Sequence, residues 1–467
     1  MVQPASRRLV TEQAAMSTYA PLGVRTADMV FPAFVGHGGL GSLFPTDSLE
    51  GYRAAAAAPG VGGVEFNVTA TGDGTLVCIH GPTIGTTTST TPTALVGDQS
   101  AASVGVLEID TTTQFPWYGT AGYKVRVPTF KHVLTELGHS TVKFPEVKSP
   151  MVDTAAAPEV AVAVARAIID AGVASSTVLC SFHTADLALA AAEGVECLWH
   201  CGTNPVDPAA LLASGIEWVG VSRETPDAQA KITTAKAGGL KVMIYTPNRA
   251  TDYAGFTGYD VVASDDPQYL AGSAMRTTDP FEAQTWYPGM RGATFGSKGA
   301  FTRDASGSWW GHPEIDNNYR GSLMGWANFP DPSNYTIDLD VIIDATNGDV
   351  TRWPGIGFGF LTDKMFTNAA SAGVDGYTLI TRASGRFDVF RADEGVATQV
   401  GASLVTTAPT VGVTIMQVRI QVTPTQIIIT RVDTGSTTTL NDATYRGEYM
   451  HLGRLGASAR FKNIRIT

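Results

Sequence analysis

Short apolar runs alternate with helix-length stretches over residues 31–275, and strict in–out alternation takes over across 276–467. Together these rhythms predict a multidomain protein: an α/β (β/α)8 TIM barrel followed by an all-β antiparallel, jelly-roll-like sandwich. The first rhythm is that of a parallel sheet covered by helices, the second that of antiparallel strands between turns. Length points the same way, because 467 residues exceed what one hydrophobic core usually serves.

Residues 1–30 read as a leader or assembly segment. A short helix is expected over Thr11–Tyr19, too short to bury its own apolar residues, so it should pack on the next domain or on a copy of itself. Barrel strands are expected at Ala33–Gly36, Gly63–Val68, Leu76–His80, Val142–Val147, Thr177–Phe182, Val195–His200, Trp218–Ser222, Leu240–Tyr245 and Asp260–Ala263. Helices are expected at Ser48–Ala58, Thr129–Leu137, Ala155–Ala171, Thr184–Ala192, Asp207–Ser214, Pro226–Ala237 and Pro267–Ala274. Asp207 before Pro208 is a capping side chain ahead of a proline at the first helical position. The Thr-, Ser- and Gly-rich segment Gly85–Tyr123 interrupts the rhythm.

Beyond Arg276 the helical period disappears. In YTIDLDVIID, Tyr335, Ile337, Leu339 and Val341 fall on one face and Thr336, Asp338 and Asp340 on the other. GIGFGFLTD, GYTLITR, GRFDVFRAD, QVRIQVT and QIIITRVD behave alike. The closing RLGASARFKNIRIT resembles the last strand of laminin-G-like, concanavalin-type sandwiches, which returns to the start of the sheet. Trp309, Trp310, Trp326 and Trp353 offer sugar-stacking faces where exposed and core packing otherwise. Asp338, Asp340, Asp344 and Asn347 offer oxygens to Ca²⁺, although outward alternation already explains the first two.

A formal net charge of −11, thinly spread, argues against nucleic acid as a partner. No apolar run approaches the ~20 residues of a membrane span, so no membrane insertion is expected. The N-terminal residues lack the apolar core of a secretory signal. Of four cysteines, Cys78 and Cys180 sit in apolar runs and read as buried thiols. Cys197, His200 and Cys201 have metal-like spacing but lack a nearby fourth ligand, and read as structural.

The stretch FVGHGGLGSLFPTDSLEGYRAAAAAPGVGGVEFNVTATGDGTLVCIHGP (34–82) resembles the opening of the glycerophosphodiester phosphodiesterase family: His-Arg, Pro-Glu-Asn-Thr, Glu-x-Asp, His-Asp. VPTFKHVLTELG, FPEVKSP, SFHTADL, KVMIYTPN and GYDVVASDDP match later family motifs in order. The resemblance implies a barrel with a loop inserted over its mouth. It also implies phosphodiester cleavage by His37 and His80 as general acid and base, with Lys148 contacting the anion. Glu65, Asn67 and Glu146, with Asp47 as a substitute, would hold a divalent cation, Ca²⁺ or Mg²⁺. Gly38, Thr46, Asn67 and Gly81 stand where the family has an arginine, a glutamate and two aspartates. A site short of charge implies a weakly held cation and a degenerate centre of little or no turnover.

A leader, a degenerate phosphodiesterase barrel and a lectin-like sandwich together resemble minor tail or receptor-binding proteins of phages that infect actinobacteria. The preference for Arg over Lys and the Ala, Thr and Gly load suit that context. The resemblance implies a homotrimer on the virion tail, assembled in the host cytoplasm beside other tail proteins and engaging a host cell-wall glycopolymer. The alternatives are an active, metal-dependent phosphodiesterase acting on glycerophosphodiesters or teichoic-acid-like polymer, a purely structural tail component, and, for location, secretion.

Overall fold

The computed structural model describes residues 25–41, 44–86, 93–109, 125–151, 156–271, 290–293, 302–303, 310–312, 319–324, 331–363 and 373–467. The expected leader helix, Trp309 and Trp326, and 87–92 and 110–123 of the inserted segment lie outside the described residues. Within that set an eight-stranded parallel barrel precedes antiparallel β-sheets. The barrel strands are β1 (Ala33–Gly36), β2 (Val61–Ala70), β4 (Val142–Val147), β5 (Val178–Ser181), β6 (Glu196–His200), β7 (Trp218–Ser222), β8 (Lys241–Tyr245) and β9 (Val261–Ser264). The barrel closes because β1 pairs in parallel with both β2 and β9.

The expected barrel strand Leu76–His80 is corrected. β3 spans only Leu76–Val77 and pairs antiparallel with the end of β2, Thr69 facing Val77. Residues 71–75, with Gly74 at φ 79°, form a tight connection. A link that short permits only an antiparallel return, since a parallel neighbour needs a crossover of a dozen residues or more.

Strand parity sorts the barrel side chains. Ala33, Val35, Val142, Phe144, Val178, Cys180, Leu198, Trp218, Met243, Val261 and Ala263 fill the interior. The alternating residues Val64, Phe66, Val68, Leu179, Cys197, Trp199, Val219 and Val242 pack outward against the helices. Those helices start as the capping chemistry dictates: Ser48 Oγ accepts from Gly51 N at 3.0 Å, and Asp207 Oδ1 from Ala210 N at 3.1 Å. All four cysteines are buried free thiols. Parity separates Cys197 from His200, which points into the barrel as Leu198 does, so the two cannot share a metal.

The second domain stacks two antiparallel sheets. One runs in the order Met290–Ala293, Tyr319–Met324, Tyr449–Leu455, Trp353–Phe360, Gly376–Thr381, Arg386–Asp393 and Val396–Gln399. The other runs Thr302–Arg303, β12 (Trp310–His312), β24 (Ser458–Ile466), β14 (Tyr335–Ala345), Met416–Val422, Ile427–Arg431 and Ser436–Leu440. β14 (Tyr335–Ala345) buries Tyr335, Ile337, Leu339 and Val341 in the core between the sheets. On its outer face Asp338 takes two bonds from Arg419 at 2.7 and 3.2 Å, and Asp344 two from Arg460 at 2.8 and 2.7 Å. Asp340 accepts from Asn463 Nδ2 at 2.6 Å. These carboxylates are thus strand-face partners of cationic and amide groups. Trp353 is 5% exposed and packs against Ile380, so it serves the core. β24 (Ser458–Ile466) lies between β12 (Trp310–His312) and β14, returning to the start of its sheet. The two domains touch where Thr251 N–H donates to Asp363 Oδ1 at 3.2 Å.

Candidate active site

The candidate site is the C-terminal rim of the barrel, the end where this architecture gathers its chemistry. β2 is hydrophobic on its outward parity (Val64, Phe66, Val68), which leaves Glu65 and Asn67 facing inward, both 3% exposed. In register beside them, Asn67 pairs with Glu146 of β4.

His37 follows β1 directly and is half-buried. Its Nδ1 lies 2.7 Å from Asp265 Oδ1, just past β9. Asn248, beyond β8, donates from Nδ2 to Asp265 Oδ2 at 2.9 Å and accepts at Oδ1 from Asp265 N at 2.8 Å. The imidazole is therefore oriented by a carboxylate that is itself clamped by an amide. Burial works against its charge, but Glu65, Asp265 and Asp47 outweigh burial and hold its pKa up at about 10. At neutral pH His37 is a proton donor.

Glu65 Oε2 accepts from Gly38 N–H at 2.7 Å, while Oε1 is buried with no hydrogen-bond partner. Burial, with the negative fields of Glu146 and Asp47, raises its pKa to about 7 against the pull of His37. Gly38 sits at φ +60°, and a Cβ there would come 2.3 Å from Thr46 Cγ2. The family's arginine position is thus occupied by a left-handed glycine under a threonine methyl.

Asp47, fully buried, accepts from Tyr52 OH at 3.1 Å and from Asn67 Nδ2 at 3.0 and 3.1 Å through its two oxygens. An ionised carboxylate only accepts, so Asn67 must turn its NH₂ toward Asp47. Glu146 Oε1 accepts from Lys148 Nζ at 2.6 Å, and its Oε2 lies 3.9 Å from His200 Nε2. Burial opposes the charge on Glu146, yet the Lys148 ammonium holds its pKa below the usual value. His80 is exposed, on the loop after β3 rather than at a strand end. The fold therefore brings together His37, Asp47, Glu65, Asn67, Glu146 and Lys148, with His80 at the rim.

The donor set bears directly on whether a divalent cation fits here. Glu65 Oε1 is a free buried acceptor, but Lys148 occupies Glu146 Oε1 and the Asn67 NH₂ is bound to both oxygens of Asp47. Among the described residues no group of three or more His, Cys, Asp or Glu stands where it could hold a metal ion. As placed, these side chains do not form a family-type cation shell.

Sequence reasoning gave no role to Asp265 and Asn248, although both lie in quoted motifs, and it grouped His200 with two cysteines. Reading β6 by parity would have found His200: Cys197 and Trp199 face out, Leu198 and His200 in.

The barrel thus gathers imidazoles, carboxylates and a lysine at its C-terminal rim. Residues 37–268 match the model of the glycerophosphoryl diester phosphodiesterase family, and this part of the chain is a domain of that family. None of the curated proteins compared with the chain matches it. Similar solved structures include a glycerophosphodiester phosphodiesterase from Agrobacterium tumefaciens, 19% identical, covering 51% of this chain and 99% of its own at a TM-score of 0.40. A phosphodiesterase from Oleispira antarctica, solved with the product sn-glycerol-3-phosphate, is 20% identical and covers 51% and 95% at 0.43. A glycerophosphoryl diester phosphodiesterase homologue from Silicibacter pomeroyi is 22% identical and covers 53% and 95% at 0.42.

The site has a defined pH signature. A raised histidine pKa contributes stability that is complete below the ordinary 6.5 and lost as pH rises through about 10. Glu65, also raised, adds stability below the ordinary 4.5 that is lost through about 7. Both act in one direction, so their joint contribution to the unfolding free energy should fall from pH 5 to 10. Denaturant melts of His37→Asn should flatten the limb above neutrality, and an unchanged limb would remove His37 as its source.

Proposed function

We propose that this protein is a minor tail or receptor-binding component of a phage virion, a homotrimer seated among other tail proteins. In this reading the barrel binds phosphodiester-bearing glycopolymer of the host envelope with little or no turnover, and the sandwich presents a second binding surface. The observation that carries it is the Asn67–Asp47 pairing beside the Glu146–Lys148 pair. Asp47 and Glu146, which would grip a cation, instead accept from Asn67 and Lys148, while His37 and Lys148 remain as cationic partners for a phosphate. The context of a tail is supported by the joining of such a barrel to a lectin-like sandwich.

A second reading, a slow phosphodiesterase with a weakly held Ca²⁺ or Mg²⁺, is favoured by one observation: the His37–Asp265–Asn248 chain that orients the imidazole is intact. Purified protein should sediment with teichoic-acid-bearing cell walls and leave bis-(p-nitrophenyl) phosphate and glycerophosphocholine uncleaved, with or without divalent ion. Chelator-sensitive turnover that His37→Ala abolishes would replace the first reading with the second. Failure to sediment together with no turnover would leave a structural tail component.

A further inference from the structure

The loop that follows β8 serves the barrel site at one end and the second domain at the other. Asn248 clamps Asp265 through both ends of its amide and also accepts at Oδ1 from Ser264 Oγ at 3.1 Å. Three residues on, Thr251 N–H donates to Asp363 Oδ1 at 3.2 Å, and the Thr251 hydroxyl donates to the same oxygen. Asp363 lies just past the strand Trp353–Phe360 of the sandwich and is 1% exposed. A carboxylate buried that deeply needs donors, and the barrel loop supplies these two.

The turn between the two ends is stiff. Asp252 Oδ2 accepts from Asn248 N–H at 2.8 Å and from Arg249 N–H at 3.1 Å. Arg223 braces its base, with Nε donating to Thr246 O at 3.2 Å and Nη1 lying 3.4 Å from Asp252 Oδ1. A segment cross-bonded in this way moves as one piece, so the placing of Thr251 sets that of Asn248. The seam extends to either side. The Arg249 guanidinium adds to burial in pushing the pKa of His451 down to about 3. Tyr449 packs against both the barrel's outer core and Phe360.

We propose that Asp363 is a positioning residue for the barrel site: by anchoring Thr251 it holds the turn that keeps Asn248 on Asp265 and Asp265 on His37. The sandwich thereby completes the barrel's site, and displacing it loosens the imidazole. This goes beyond the two readings above and does not depend on which of them holds.

NMR of the full chain with isotope-labelled histidine tests it near neutral pH, the His37 ring signals being assigned by their loss in His37→Asn. In the wild type the Nδ1 proton bonded to Asp265 should resonate far downfield and exchange slowly with water. Asp363→Ala should speed that exchange roughly tenfold, the effect of losing about one buried hydrogen bond. Asp363→Asn, which keeps an oxygen for Thr251, should stay close to the wild type. Asp340→Ala, which removes a carboxylate elsewhere on the sandwich, should change nothing. Exchange unmoved by Asp363→Ala would overturn the proposal, as would an equal effect from Asp340→Ala or the lack of a protected proton in the wild type. If Asp363→Ala does not fold, Thr251→Val decides, since it removes only the hydroxyl bond: faster exchange supports the anchor, and unchanged exchange counts against it.

Discussion

Asn67→Asp should destabilise the barrel by about 3–5 kcal/mol near neutral pH, the range for stranding an uncompensated charge in a protein interior. The two amide bonds to Asp47 disappear, and two carboxylates then share a site that is 0% and 3% exposed. Like charges so placed cannot both ionise, and the carboxyl pKa of one must rise. Raised carboxyl values give stability that is lost as pH climbs, so variant and wild type should converge toward pH 4 in denaturant melts. Millimolar Ca²⁺ should restore part of the loss in the variant by binding the folded state alone, and leave the wild type unmoved. A variant as stable as the wild type at pH 7 would mean that the Asp47–Asn67 pairing is not what displaces the cation. Adding Thr46→Glu should strengthen the Ca²⁺ response.

Lys148→Met should cost about 2–4 kcal/mol, because it leaves Glu146 buried beside a neutral imidazole with no cation on Oε1. Burial keeps His200 neutral, pushing its pKa down to about 4 despite Glu146, so it cannot substitute for the ammonium. In the wild type Glu146 is held low and its contribution is present above the ordinary 4.5. Without Lys148 the carboxyl is pushed up, and the penalty grows as pH rises from 4 to 7. The double variant Glu146→Gln/Lys148→Met should recover most of the stability, since removing both partners strands no charge. Additive losses in that cycle would show that the pair is not coupled.

Much of the fold was legible because its signals are periodic. β2 and β14 announce themselves by parity, and Ser48 and Asp207 mark helix starts by local hydrogen bonding that needs no tertiary context. Leu76–His80 misled because an apolar run says nothing about its partner; the direction of β3 follows from the brevity of 71–75, visible in the sequence as a Gly-Asp-Gly turn. The site divided along a similar line. His37, Glu65 and Glu146 could be placed through motif spacing, but the exchange of partners that commits Asn67 to Asp47 and Lys148 to Glu146 depends on side-chain directions across three elements. Likewise Asp265 and Asn248 reach His37 only because the barrel closes, which brings residues 228 positions apart within hydrogen-bond reach.

The placement of β24 has a consequence for synthesis. The barrel holds all its strands once Ser264 has emerged from the ribosome. The other sheet, however, keeps a central gap until Ser458–Ile466 slots between β12 and β14. For close to two hundred residues of elongation, the nascent chain therefore carries a finished N-terminal unit beside exposed strand edges, the kind of surface that invites mispairing between neighbouring chains on one messenger. Ribosomes stalled shortly before residue 458 should yield a protease-resistant barrel and a degradable remainder.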